Sequence, residues 1–172
     1  MFKNDNDKKF LIIVAVFTAL LFTLASCGKK ITELEGDAHE IAQRIYQRMG
    51  MPHTPSESDI LADEAYILGL SEKDFTENVA SAKMFCENEL SSKTFLCILI
   101  ANNEASAESI YSDMCKNYDW APCDPADSAV FMRYGKYVLM AKDSDDGTHN
   151  ICSAFMAETD NSASAVYSQN PM

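Results

Sequence analysis

The chain has 172 residues, with 14 Lys and Arg against 26 Asp and Glu, and 47% of it is hydrophobic. That length suits one domain with appendages, and the apolar fraction excludes wholesale disorder. A formal charge of −12 excludes the basic surface needed for sequence-independent nucleic-acid binding or for polybasic adsorption to anionic lipid.

Residues 1–9 carry Lys3, Lys8 and Lys9 against Asp5 and Asp7, and no charge follows from Phe10 to Ser26. As a helix this run would span roughly 25 Å, short of the roughly 30 Å hydrocarbon core. A charged start, a short apolar run and a small-residue exit predict a secretory signal peptide over 1–26. The exit reads Leu24-Ala25-Ser26-Cys27. It resembles the lipobox of bacterial lipoproteins, which implies cleavage between Ser26 and Cys27 and a diacylglyceryl group on the Cys27 thiol. Residues 27–36 are then expected to be a tether. Losing residues 1–26 removes three Lys and two Asp, which leaves 11 basic and 24 acidic residues, a net −13. So acidic a chain is repelled by anionic lipid, and its acyl chains must hold it.

Residues 37–49 predict a helix. Ala38, Ile41, Ala42, Ile45, Tyr46 and Met49 form one stripe, Asp37 can cap its start, and Gly50 with Pro52 can end it. Residues 51–59 read as a loop, 60–70 as a short helix or a turn and strand, and Ser71-x-x-Asp74 as a capping box for one turn. The segment 76–87 is read as a strand, although Phe75, Val79, Ala82, Cys86 and Leu90 fit a helix nearly as well. Residues 93–101 are the strongest strand and are apolar on both faces. Asn103 can cap a helix through Tyr118, and 119–127 is a loop. Strands 129–134 and 137–141 meet at Gly135. Asp143 to Gly147 is expected as a turn, His149 to Glu158 as a last helix, and 159–172 as a flexible tail. The expectation is one α+β domain over 37–158 in the order α-β-β-α-β-β-α. It has an antiparallel sheet of about four strands with its helices on one face.

This order behind a lipobox resembles the bacterial lipoproteins of the domain of unknown function 4358 family. The resemblance covers roughly residues 36–157. It rests on the helix ending Ile45-Tyr46, the segment Tyr66 to Asp74, the strand Phe95 to Ala101, and Gly135-Lys136-Tyr137-Val138-Leu139. It implies a short surface lipoprotein and carries no catalytic residue with it. The chain departs from that pattern in having five cysteines beyond the lipobox.

Those five are Cys86, Cys97, Cys115, Cys123 and Cys152, an odd number, so at least one is unpaired within a monomer. With a hairpin loop at 90–93, Cys86 would face Cys97. Cys115 at a helix end could meet Cys123 in the next loop. These are the two candidate disulfides, weighed against buried free thiols acting as small hydrophobes, which is the preferred reading. The absence of a CxxC pair speaks against redox or zinc chemistry. His39, His53 and His149 have no ligand or triad partner at a telling spacing and read as solvated. Asp143, Asp145, Asp146 and Gly147 fail the calcium-loop pattern, because Gly147 and Ala154 stand where ligands are required. Tyr111, Tyr118, Trp120, Tyr134 and Tyr137 read as sealing one core edge, with a ligand groove as the alternative. No cofactor or metal is expected. The sequence thus predicts a non-enzymatic, lipid-anchored module at the cell envelope. It would meet the membrane through its lipid and bind an envelope protein or small ligand, with no nucleic-acid partner. The alternative is an envelope hydrolase or thiol enzyme whose site is assembled from distant residues.

Overall fold

The computed structural model describes residues 33–86, 94–121 and 124–171. The lipobox residues Leu24, Ala25, Ser26 and Cys27, the loop at 90–93 and Cys123 lie outside them.

Helix α1 (Ala38–Arg48) forms where the apolar stripe predicted it. Its capping box is reciprocal: the Glu40 N–H donates to Asp37 Oδ1 at 3.0 Å and the Asp37 N–H to Glu40 Oε2 at 3.1 Å. Strand β1 (Ser56–Asp59) follows, then a 3-10 helix (Ala62–Leu68), α2 (Glu72–Asn78) and β2 (Val79–Cys86). Ser71 caps α2, as the spacing to Asp74 predicts. Strand β3 (Phe95–Ala101) leads into α3 (Glu104–Asn117), which is capped by Asn103. The hairpin β4 (Ser128–Tyr134) and β5 (Tyr137–Asp143) turns through Gly135 at φ +55°, the positive φ that tight hairpin turns require. Then come α4 (Asp145–Glu158) and β6 (Ser164–Gln169).

The strands form one antiparallel sheet in the order β1-β2-β3-β5-β4-β6. The α+β class and the antiparallel sheet stand as expected, but the sheet has six strands rather than about four. Its helices lie on both faces. Leu99, Phe131 and Met140 face the 3-10 helix, α2 and α3, whereas Leu96, Ile98 and Leu139 face α1 and α4. A strand as apolar on both faces as β3 needs a cover on each side, so one helical layer would have left half of it in water.

Both added strands are edges. β1 lies in the expected loop and is exposed at all four positions, so pairing with β2 holds it, not burial. β6 occupies the expected tail. Asp160 (φ 49°) and Asn161 (φ 57°) take the left-handed conformation that turns the chain out of α4 and back along β4. The last helix starts at Asp145 rather than His149. Ser144 caps it, accepting from the Gly147 N–H at 3.1 Å, and Asp145 and Asp146 sit in its positive first turn.

Candidate functional site

The expected tether ends fastened to the domain. Arg44 Nη2 donates to the Glu35 carbonyl at 2.7 Å, Tyr137 Oη donates to the Leu34 carbonyl at 3.0 Å, and Lys136 Nζ pairs with Glu33 Oε1 at 3.0 Å. The folded part therefore begins by Glu33. Beside this segment is a cleft of about 370 Å³ floored by Arg44, Arg48, Tyr134 and Glu158. Glu158 Oε2 accepts from Arg44 Nε at 2.7 Å and Oε1 from Arg48 Nε at 2.5 Å, so both guanidinium groups are engaged. Burial raises the Glu158 pKa, but the hydrogen bonds and charges of the two arginines outweigh it and hold the carboxyl below its ordinary value. Glu33, Glu35 and Asp160 also line the cleft, so acids outnumber the two arginines, and both arginines are already bound to Glu158.

A second cavity, about 270 Å³, opens at the end of α1, lined by Tyr46, Met49, Met51, Phe85, Cys86 and Phe95, with Asp143 beside them. Gly50 at φ +77° ends the helix and the Met51 N–H donates back to the Tyr46 carbonyl at 3.0 Å, which sets the two thioethers along the opening. Asp143 is already engaged, its Oδ1 accepting from the Ser144 N–H at 2.6 Å. The lining is mixed, with Met and aromatic side chains that can adapt to a guest and Thr94 and Asp143 supplying polar edges.

The four described cysteines, Cys86, Cys97, Cys115 and Cys152, are free thiols. The Cys86–Cys97 disulfide fails on register. Met84 stands opposite Cys97 and Phe85 opposite Leu96, so Cys86 is level with Phe95 and two positions away from Cys97. Cys115 is half-buried and free, and its candidate partner Cys123 lies outside the described residues. Burial pushes the Cys97 thiol far up, with Cys86 adding to the shift and Lys142 opposing it. Burial also raises Cys115, against a hydrogen bond with Tyr111. A thiol nucleophile needs the thiolate, and both environments favour the neutral form.

All three histidines are exposed, in keeping with the solvated reading, and two of them also have side-chain neighbours. His39 Nδ1 meets Glu57 Oε2 at 2.6 Å, and His149 stacks on Tyr167 with ring centroids 4.8 Å apart. The five aromatics do not form one cluster. Tyr118 packs edge-on against Trp120 and Phe131 at 5.4 Å each on the α3 face, whereas Tyr134 and Tyr137 belong to the opposite core. Among the described residues no group of three His, Cys, Asp or Glu could hold a metal ion, and no helix is long and apolar enough to cross a membrane.

Sequence reasoning missed a buried ion pair. Lys142 Nζ sits 2.8 Å from Asp124 Oδ2, and the two side chains are 8% and 4% exposed. The available signal was Lys142 itself, which continues the alternation of β5 on the α3 face. Comparisons of this chain with family models, curated proteins and solved structures found no match.

Proposed function

We propose that this chain is a bacterial lipoprotein, held outside the cytoplasm on the cell membrane by lipid on Cys27. On this reading its domain is a binding or interaction module rather than an enzyme. The observation that carries the reading is the Leu24-Ala25-Ser26-Cys27 exit after an uncharged run from Phe10. The resemblance to the domain of unknown function 4358 family belongs to the same proposal. Six residues lead from Cys27 to Glu33, at most about 20 Å of extended chain, so a lipid on Cys27 would keep the domain close to the headgroups.

Size argues about what it binds. The 370 Å³ cleft lies at the low end of the roughly 300–1,000 Å³ of small-molecule sites, whereas the 270 Å³ cavity falls below it. The cavity suits one protruding apolar side chain of an envelope protein. The raised Cys97 and Cys115 thiols and the charge-compensated Glu158 argue against a thiolate nucleophile or a general acid at those positions.

An inhibitor of the lipoprotein signal peptidase tests the anchor, and is expected to accumulate a precursor that keeps residues 1–26. Incubating the processed protein with cell-wall fragments and peptides tests the module, and no turnover is expected. Processing that ignores the inhibitor contradicts the anchor. Turnover abolished by a single carboxylate substitution contradicts the module.

A further inference from the structure

The two edges of the sheet are built differently. An edge strand carries a row of unpaired N–H and C=O groups, and proteins guard it with charges, proline, bulges or brevity. β1 is guarded. It is four residues long, follows Pro55, and carries Glu57 and Asp59, which reach Lys83 at 3.4 and 2.9 Å. β6 is not. Ser164–Gln169 contains no charge, no proline and no glycine, and pairs with β4 over six residues without a register shift. Among the described residues nothing pairs with its outer side. Val166 is 44% and Tyr167 39% exposed.

We propose that β6 pairs antiparallel with β6 of a second copy of this chain, joining two six-stranded sheets across a two-fold axis at Val166. This interface does not depend on the lipid anchor.

The choice of a second copy follows from charge and shape. The chain carries −12 overall, so two copies repel one another wherever acidic surfaces meet, and β6 offers a stretch free of charge. In an antiparallel pair, opposite residues share a face, so a two-fold axis normal to the sheet must pass through a residue position. Centred on Val166, the pairing sets Val166 against the partner's Val166 on the α3 face. On the other face it sets Ala165 against the partner's Tyr167, and by symmetry Tyr167 against the partner's Ala165. Small meets large twice, so this surface fits itself. Tyr167 is preset for this by stacking on His149, and Ser168 by its bond with Trp120 Nε1 at 3.1 Å, which together hold the strand in place from both faces. A patch one strand long is small by the standards of stable dimers, so the expected affinity is micromolar or weaker. Confinement on a surface would raise the paired fraction.

The test is the mass of the full chain in detergent, measured by three-detector light scattering across a concentration series. The protein mass is expected to rise toward twice the monomer value. Val166→Lys places like charges at the axis and is expected to weaken association at least tenfold, with an unchanged circular dichroism spectrum. Glu57→Gln on the other edge is expected to leave association unchanged. Val166→Cys gives a check that does not depend on a lysine variant folding. On mild oxidation with diamide, the introduced thiol should form a symmetric disulfide, located by peptide mass mapping. A chain that stays monomeric at the highest concentrations overturns the proposal. So does a dimer indifferent to Val166→Lys, or a Val166→Cys chain that dimerises without forming the symmetric disulfide.

Discussion

Asp124, ahead of β4, and Lys142, near the end of β5, meet at 2.8 Å, and both side chains are sealed from water. Asp124 also anchors its own loop, with Oδ1 accepting from the Ala126 N–H at 3.1 Å, and Lys142 lies 5.0 Å from the centre of the Phe95 ring. Removing one partner strands the other charge in the core. Asp124→Ala should therefore destabilise the protein by about 3–5 kcal/mol, whereas the double change Asp124→Leu with Lys142→Met should restore most of that. Urea unfolding of the three variants measures it.

Glu158 ties α4 to α1 through Arg44 and Arg48. Its pKa is lower in the folded chain than in the unfolded one. The stability it contributes is thus present above the unfolded value, near 4.3, and is lost as pH falls through the folded value. Glu158→Gln should cost about 1–3 kcal/mol at pH 7, a difference that shrinks on acidification. Urea midpoints of both proteins between neutral and strongly acidic pH test the sign.

Gly69 ends the 3-10 helix at φ +76°, with α3 directly against it. An added Cβ would lie 2.6 Å from the Tyr118 backbone nitrogen. Gly69→Ala combines a left-handed residue, which costs of order 1–3 kcal/mol, with a backbone clash. Thermal unfolding should show a loss at or above the top of that range.

The C-terminal strand is expected to be structural. Asn170 Nδ2 donates to the carbonyls of Asp124 and Ala126 at 3.0 and 2.9 Å, and Ser168 holds Trp120. Truncation after Ser162 should lower the urea midpoint and shift the fluorescence of Trp120, the only tryptophan, to longer wavelength.

The parts of the fold that were legible share one property: the local pattern and the tertiary burial agree. α1 has a stripe, a cap and a glycine stop. β3 reads apolar throughout, but the expectation of helices on one face did not follow that double face to a cover on each side. β1 reads as a loop because Ser-Glu-Ser-Asp has no buried face, and only its partner makes it a strand. β6 hid behind serines, although Asp160-Asn161 is a helix stop and Ala-Val-Tyr a strand-forming core. The side-chain clusters were less legible. Glu158 lies 114 and 110 residues from its two arginines, and no spacing rule reaches that far. The cysteine pairing turned on the hairpin register, where a small slip moves a thiol to a different neighbour.

The most direct test of the account is the intact mass of the chain purified from cells grown with labelled palmitate. The account predicts a labelled protein that begins at Cys27, with its mass raised by acyl chains, and no label in the Cys27→Ala variant. An unlabelled protein that retains residues 1–26 would contradict it.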